Sequence, residues 1–225
     1  MEFTITISNE IKEKLSVVRL AILSFETTVE ASTPQFWASV DEASHNLRET
    51  TKAEDITKIG TITETRKAYK LCGKDPSRYR PAADSLIRRI VKGNDLYKVN
   101  NVVDVLNLVS LQSGISIGGY NLEKIQGDAR LSIGKANDVY SGIGRGELNI
   151  EGLPVLRDEV GVFGSPTSDS ERTMISNMAR SIIFVFFDFG QPDCLYSAVQ
   201  SCKCLLQEHC AVQHTDYHEV SYTQK

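Results

Sequence analysis

Residues 100–127 read NNVVDVLNLVSLQSGISIGGYNLEKIQG, and this stretch decides the fold. Its first half predicts a helix over residues 100–112 that valine and leucine side chains surround on nearly every side. A helix of this kind is buried. Asn100, Asp104 and Asn107 nevertheless form a polar stripe along it, at positions i, i+4 and i+7. Because buried polar groups need partners, these side chains either hydrogen-bond neighbouring loops or orient a pocket.

The composition and hydrophobic pattern of the chain change at Gly114. After this residue glycine is frequent and short apolar runs alternate with turns, a pattern typical of β-strands. The sequence shows no linker and no internal repeat, so we predict one α+β domain over residues 1–225. The predicted helices are a short helix that Ser8 caps, with Ile11 and Leu15 on one face, and residues 34–50, 62–72, 81–93, 100–112 and 194–210. The predicted strands are residues 3–7, 17–29, 129–133, 155–157, 159–163, 181–187 and 211–222.

Length and composition are those of an ordinary globular protein. Of the 225 residues, 41% are hydrophobic and 24% are charged, which excludes disordered, collagen-like and disulfide-dense proteins. The most apolar run, residues 182–187, is much shorter than the ~20 residues that a membrane-spanning helix needs. The first residues show no secretory pattern, and the five cysteines are an odd number. We therefore expect reduced thiols and a cytoplasmic location.

Basic residues are concentrated in one part of an otherwise acidic chain. The net charge is −4, yet residues 66–98, the basic segment, carry 10 basic and 3 acidic side chains. Such a surface attracts nucleic-acid phosphates, although solvated helix faces give the same pattern. Tyr69 and Tyr79 lie in this segment and either stack on bases or are half-buried aromatics. The residues predicted to contact RNA are Arg66, Lys67, Lys70, Arg78, Arg80, Arg88, Arg89 and Lys92.

Common catalytic motifs are absent. The sequence has no Walker-type phosphate loop, no GxSxG motif and no HExxH motif, and residues 142–146 (GIGRG) lack the spacing of a dinucleotide fingerprint. Cysteine and histidine crowd residues 202–218, where a zinc site is the alternative to simple packing. Because Cys202 and Cys204 point in different directions on a helix, we expect the thiols to pack as small apolar groups. We expect neither a metal nor a cofactor.

The motifs of residues 100–114 (NNVVDVLNLVSLQSG) and 118–127 (GGYNLEKIQG) resemble the B3/B4 domain of the phenylalanyl-tRNA synthetase beta subunit. Residues 75–104 resemble the version of this domain found as a free-standing protein, and the resemblance extends over residues 75–215. It implies a B3/B4-like α+β fold, with a β-sandwich of unusual topology and flanking helices. In the synthetase this domain binds tRNA and hydrolyses the ester of a wrongly attached tyrosine. Such a second pocket removes products that the synthetic site cannot exclude.

The resemblance also implies site residues. Tyr120 and Asn121 match a Phe-Asp pair of the family motif, and the histidine of that motif falls at Gly118. An acidic residue that contacts the substrate falls near Glu147. The implied substrate-binding residues are Asn107, Gly118, Gly119, Tyr120, Asn121, Glu147 and Ser165. The pocket candidates for catalysis are Glu147, Asp169, Ser170 and Thr173. For Ser165, Asp169, Ser170 and Thr173 the alternative is a turn held by local hydrogen bonds.

Three functions remain open at this point. The first is a deacylase that acts on the aminoacyl 3′ end of a mischarged tRNA; the chain alone is not expected to be a ligase. The second is an RNA-binding module without hydrolysis, which the loss of the histidine at Gly118 favours. The third is a protein that kept the pocket for a free amino acid or similar small molecule, which the acidic net charge favours. None of the three involves DNA or a membrane.

Overall fold

The computed structural model describes residues 3–224. This part of the chain contains ten strands and six α-helices. No helix in it combines the length and apolar character that crossing a membrane requires. The strands are β1 (Ile5–Ile7), β2 (Val17–Glu26), β3 (Ser116–Asn121), β4 (Ala129–Ile133), β5 (Ser141–Gly142), β6 (Gly146–Glu147), β7 (Pro154–Arg157), β8 (Val162–Gly164), β9 (Ser181–Asp188) and β10 (Asp216–Thr223). The helices are α1 (Asn9–Lys14), α2 (Pro34–Thr50), α3 (Gly60–Cys72), α4 (Ala82–Val91), α5 (Asn101–Ser113) and α6 (Pro192–His209).

Two four-stranded sheets pack face to face. The first has the strand order β1-β4-β7-β8, and the second has the order β10-β2-β9-β3. Strands β1 and β4 are parallel, whereas the other neighbours in both sheets are antiparallel. Side chains of both sheets fill the space between them, among them Leu131 and Phe163 of the first sheet and Ile183 and Val185 of the second. We call this space the sandwich core.

Helices cover the outer face of the second sheet. Along β9, Ile183, Val185 and Phe187 belong to the sandwich core, whereas Phe184 and Phe186 pack against the helices. This alternation is the two-residue period of a strand, here with both faces buried. Helices α2, α4, α5 and α6 all contribute side chains to this second core. The result is three layers, two sheets and one helical layer, which confirms the predicted α+β class.

Helix α5 lies in the helical layer beside β3. The Asn100 side chain caps its start by accepting from Val103 N–H at 2.9 Å, and Gly114 ends it in a left-handed conformation at φ 70°. Asp104 accepts from Ser32 Oγ at 2.6 Å and from Val99 N–H at 2.9 Å. The Asn100 amide also donates to Ile175 O at 3.4 Å. Two members of the polar stripe therefore hold neighbouring loops, which is the first of the two explanations that the sequence allowed.

The largest differences from the sequence-based predictions fall in the strands. The strand expected over residues 159–163 begins only at Val162, because Asp158 Oδ1 accepts from the N–H groups of Val160 and Gly161 and forms a turn. Strand β3 was not predicted, since its two adjacent glycines weaken the strand pattern. It is nevertheless buried along its whole length and is paired with β9.

The cysteines are all free thiols and divide into two groups. Cys72, Cys202 and Cys210 are buried, and Cys202 and Cys210 belong to the core of the helical layer, as expected for thiols that pack as apolar groups. Cys194 and Cys204 are exposed on α6. Within residues 3–224, no group of three or more His, Cys, Asp or Glu side chains is arranged to hold a metal ion.

Candidate functional site

A loop after β8, residues 165–173, packs against β3 at one side of the sandwich. Asp169 Oδ2 accepts from the backbone N–H of Gly119 at 3.1 Å. Isolated bridges tie Asp169 to Gly164 and Ser170 to Gly142. The loop therefore connects β3, the end of β8 and the β5–β6 hairpin. We call it the site loop.

Hydrogen bonds within the site loop, and others from neighbouring parts of the chain, fix the shape of this loop. The Ser165 hydroxyl donates to Ser168 O at 3.0 Å and accepts from the N–H groups of Thr167 and Ser168. From outside, the Tyr69 and Thr167 hydroxyls share a hydrogen bond of 2.9 Å, and the Tyr140 hydroxyl donates to Ser168 O at 2.5 Å. Two buried phenols thus hold the loop in place, and the turn alternative applies to Ser165.

The Tyr120 ring fills the space between β3 and β8. It is fully buried and packs edge-on against Phe163, with ring centroids 5.0 Å apart. A Cβ atom at Gly118 would lie 1.9 Å from the Tyr120 hydroxyl, and one at Gly164 would lie 2.1 Å from it. Neither position has room for a side chain while the ring is there. The phenol therefore explains Gly118, where the family motif has histidine.

Two buried oxygen atoms in this cluster have no hydrogen-bond partner. They are the Tyr120 hydroxyl and Asp169 Oδ1. The groups are close, since burial and then the Asp169 charge raise the pKa of Tyr120, but their geometry does not satisfy either oxygen. Unpartnered buried polar atoms are rare in proteins and need a physical explanation. We call Tyr120, Asp169, Gly118, Gly119 and Ser165 the Tyr120–Asp169 cluster.

The Asp169 carboxyl is suited to proton transfer near neutral pH. Burial raises its pKa from the ordinary 3.8 to about 7, although the hydrogen bond from Gly119 N–H and, to a smaller extent, the nearby Tyr120 hydroxyl favour the charged form. No cation pairs with it among the described residues. This part of the loop is close to the surface, because Ser168 and Asp169 are partly exposed. A carboxyl group of this kind can act as a general base or acid.

Other predicted site residues lie outside this cluster. Asn121 accepts from Glu123 N–H and caps the short 3₁₀ turn after β3. Thr173 is buried, and its hydroxyl donates to Phe163 O at 3.4 Å. Asn107 is half-buried on α5. Glu147 is exposed on β6 of the short hairpin.

Ser170 lies next to Asp169, and its hydroxyl accepts from Arg172 N–H. For Ser170 and Thr173 these are local contacts of the kind that the turn alternative expects. The structure brings Gly118, Gly119, Tyr120, Ser165 and Asp169 together, and only part of the predicted set therefore converges on one point.

Much of the basic segment stabilises the fold internally. Asp84 is fully buried on α4 and forms ion pairs with Arg66 at 3.0 Å and with Arg88 at 2.5 Å. Lys74 is buried and donates to the carbonyl groups of Asn149 and Glu151, each at 2.7 Å. Arg66 and Arg88 neutralise a buried carboxylate and Lys74 is held by two backbone carbonyls, so these cations are not free to meet phosphates.

Arg89 and Lys67 also have partners. Arg89 stacks on the exposed Tyr97 ring, with its guanidinium carbon 3.8 Å from the ring centroid, and hydrogen-bonds the Tyr97 hydroxyl. Lys67 is exposed and lies 3.5 Å from Glu64. Tyr69 is fully buried and cannot stack on a base, and Tyr79 is half-buried beneath Lys74.

Exposed cations remain in the basic segment, and some of them lie near the site loop. Lys70, Arg78, Arg80 and Lys92 are exposed. The N–H of Ala82 donates to Pro166 O at 2.7 Å, which places the preceding turn, with Arg80, next to the loop. Arg145, on the β5–β6 turn, is also exposed. Burial raises the pKa of Tyr69 and of Tyr140, and the Arg145 charge opposes that rise in both, so Arg145 lies near these two phenols.

Tyr140 and Arg145 were missed by the sequence analysis. Tyr140 precedes the glycine-rich residues 142–146, and nothing in the local pattern distinguishes it from an ordinary core aromatic. Arg145 lies outside the basic segment, in a turn with low local charge. Only the folding of the hairpin onto the site loop, through the bridge between Gly142 and Ser170, brings both residues to the cluster.

Comparison with known proteins identifies the family. A sequence model of the B3/4 domain matches residues 64–202, which include α3 to α5, β3, the hairpin and the site loop. The chain belongs to the B3/4 domain family. This finding confirms the resemblance that residues 100–127 suggested. The match spans both the basic segment and the Tyr120–Asp169 cluster.

A solved structure has the same fold as this B3/4 domain protein. It is an N-terminal fragment of the phenylalanyl-tRNA synthetase beta-subunit from Pyrococcus horikoshii. The two match with a TM-score of 0.53 at 12% sequence identity, over 98% of this chain and 54% of the fragment. This chain thus spans about half of the fragment. The curated proteins searched contain no match to this chain.

Proposed function

We propose that this B3/4 domain protein is a deacylase that hydrolyses the ester of a mischarged aminoacyl-tRNA. The observation that carries the proposal is Asp169 Oδ1, a buried carboxyl oxygen without a partner. Such an atom is a candidate to receive the proton of an attacking water molecule. The similarity to a tRNA synthetase fragment supports tRNA as the carrier of the ester.

The reaction needs one water molecule and one proton acceptor. Water attacks the carbonyl carbon of the ester, and Asp169 Oδ1 takes a proton from it. The bond between the carbonyl carbon and the ribose oxygen then breaks, and that oxygen receives the proton back from Asp169. The products are the free amino acid and uncharged tRNA. A pKa of about 7 lets the same carboxyl accept and return the proton at neutral pH.

The RNA strand would lie along the exposed cations next to the site loop. Arg80 and Arg145 are exposed there, and Arg78, two residues before Arg80, is also exposed. Phosphate contacts by such cations position a nucleic acid without reading its sequence. Arg66 and Arg88 contribute to this surface only indirectly, because both pair with Asp84. The Arg66 pair joins α3 to α4, whereas the Arg88 pair lies within α4.

Release of labelled amino acids from a panel of mischarged tRNAs tests this function. Wild-type protein should release at least one amino acid well above the buffer background. Asp169→Asn should slow that release by about 100-fold or more, within the range typical for loss of a general base. Glu42→Gln, on the exposed face of α2, is the matched control and should leave the rate within about twofold. A wild-type protein that releases no amino acid from any tRNA contradicts the proposal.

An RNA-binding module without hydrolysis is the second candidate. The burial of Asp169 Oδ1 favours it, because water does not reach this atom in the present conformation. Filter binding separates the two functions when it is combined with the release assay. The module alone would bind tRNA and release nothing.

Both functions share a prediction about the exposed cations. Arg80→Glu and Arg145→Glu should weaken tRNA binding and lower the slope of log K against log salt, by about one for each phosphate that the variant no longer binds. Arg180→Glu is the control, since Arg180 is exposed before β9, where its backbone carbonyl pairs with Thr27 N–H. If Arg80→Glu and Arg145→Glu bind tRNA as tightly as wild type and the Arg180→Glu control do, this surface is not the tRNA-binding surface.

A further inference from the structure

Strand β10 forms one edge of the second sheet. It pairs with β2 over all eight of its residues without a bulge, and among residues 3–224 no strand pairs with its other side. Many proteins protect such an edge with proline, lysine, a bulge or a short strand, because its free N–H and C=O groups can pair with another chain. Strand β10 has none of these four features. Its outer side is therefore open to a further strand.

The pairing with β2 shows which backbone groups face outward. The N–H of Gln224 donates to Ser16 O at 2.8 Å, so these two residues form a hydrogen-bonded pair of the antiparallel ladder. Such pairs alternate along a ladder, so the even-numbered residues of β10 direct their N–H and C=O groups to β2. The odd-numbered residues direct theirs outward, and all of them are exposed: Tyr217, Glu219, Ser221 and Thr223. No other backbone group of the described residues pairs with these outward groups.

The outward groups limit how a second copy of β10 can pair with the first, antiparallel and about a two-fold axis. Two residues that face each other must both direct their backbone groups into the new ladder or both away from it, so the register can shift only in steps that keep odd opposite odd. The register with Val220 opposite its own copy pairs residues 217–223 and places Glu219 opposite Ser221. A shift one way places Glu219 opposite its own copy, where like charges repel. A shift the other way leaves only residues 219–223 paired.

The surface beside this edge also suits an interface. Tyr217 is exposed on the side of the helical layer, where the Lys203 ammonium lies 4.8 Å from its ring centroid. Burial raises the pKa of Tyr217, and Glu219 and Tyr196 add to the rise, so these groups lie near one another. Tyr196, on α6, is 66% exposed. Exposed tyrosines of this kind are enriched in protein interfaces.

We propose that this protein forms a two-fold homodimer in which the β10 strands of two copies pair antiparallel, with Val220 at the axis. The four-stranded second sheets of both copies then join into one continuous sheet. A second copy is the partner because its own β10 supplies a matching set of backbone groups and places no like charges opposite each other. This inference does not depend on the proposed deacylase function. A strand pair is a small interface, so we expect a Kd of about 1 to 10 μM.

Sedimentation equilibrium from about 0.5 to 100 μM protein tests the dimer. Wild-type protein should change from a monomer of 25.0 kDa to a species of twice that mass. Ser221→Pro removes one outward N–H, leaves the hydrogen bonds to β2 in place and should remain a monomer. Ser221→Ala keeps this N–H and, as the matched control, should dimerise like wild type. A wild-type protein that remains a monomer, or a Ser221→Pro variant that dimerises, overturns the proposal.

Charge substitutions at the same position test the register and remain informative if the proline variant does not fold. Ser221→Glu places a second carboxylate opposite Glu219 in both halves of the interface, and it should raise the Kd by about tenfold. Ser221→Lys places an ammonium group there and should dimerise at least as tightly as wild type. Equal changes in Kd for the two variants contradict this register.

Disulfide trapping locates the axis. In a Cys194→Ser and Cys204→Ser background, which removes the two exposed thiols, Val220→Cys should form a disulfide-linked dimer on oxidation. Residues that face each other without hydrogen bonds have Cα atoms about 4.5 Å apart, within the range of a disulfide. Glu219→Cys in the same background faces Ser221 and should crosslink poorly. Efficient crosslinking through position 219 and not through position 220 would overturn the proposed axis.

Discussion

Asp84 and Asp169 carry carboxyl groups in very different surroundings: Asp84 is fully buried, whereas Asp169 is a partly exposed residue whose Oδ1 atom is buried. Asp84, in the helical layer, pairs with both Arg66 and Arg88. Asp169, in the site loop, has one backbone N–H donor on Oδ2 and no partner on Oδ1. A buried charge that is fully paired stabilises a particular packing, whereas an unpaired one costs stability and is found most often where chemistry needs it. This difference indicates that Asp84 stabilises the fold and that Asp169 is the candidate for function.

The largest expected effect is the pH dependence that Asp169 imposes on stability. Its pKa is about 7 in the folded protein, against an ordinary 3.8. Between these values the unfolded chain loses this proton and the folded chain keeps it, so stability falls as pH rises from about 4 to 7 and the loss then levels off. The total is at most about 4 kcal/mol, at about 1.4 kcal/mol for each unit of pKa.

Asp169→Asn removes this titration. The free energy of unfolding of the variant, relative to that of wild type, should therefore increase as pH rises from about 4 to 7. Urea unfolding of both proteins at pH 4, 5.5 and 7.5 measures the difference. Glu42→Gln should keep the wild-type pH dependence, since this side chain is exposed on α2. Parallel pH profiles for wild type and Asp169→Asn would show that Asp169 is not the unpaired charge described above.

Asp84→Asn tests the opposite member of the comparison. The substitution leaves Arg66 and Arg88 without a counter-charge near a buried position, and we expect a loss of about 3 kcal/mol in the free energy of unfolding. Urea unfolding at pH 7 measures it. Asp95→Asn removes the exposed partner of Arg48 and, as the matched control, should cost less than about 0.5 kcal/mol. A loss for Asp84→Asn as small as that of the control would mean that the Asp84 pairs do not stabilise the fold.

The smallest effect concerns the steric fit of the Tyr120–Asp169 cluster. Gly118→Ala places a Cβ atom within 1.9 Å of the Tyr120 hydroxyl, and we expect a loss of about 2 kcal/mol from the resulting shift of the ring. Tyr120→Phe removes the clashing oxygen, so the double variant should recover about 1 kcal/mol of that loss. A double-mutant cycle by urea unfolding measures the coupling. Strictly additive losses would show that the ring does not lie against Gly118.

The sequence predicted the helical layer better than the site. Each predicted helix has a physical signal nearby, such as the apolar period of residues 100–112, Pro34 at the start of α2 and Gly73 after α3. The sequence shows which residues of the basic segment are charged, but it does not show which residues they pair with. Asp84 is one of three acidic residues in that segment, and its pairing with Arg66 depends on how α3 packs against α4.

By itself the sequence determined the α+β class, the position of most helices and strands, and membership of the B3/4 domain family, because hydrophobic period, capping residues and motif spacing are local properties. Only the tertiary structure decided which polar groups are left unpaired. The phenol of Tyr120 meets Asp169 because β3 and the loop after β8, about 50 residues apart, come together. Whether a carboxyl group is neutralised or isolated depends on such long-range packing, and this decides where chemistry can occur.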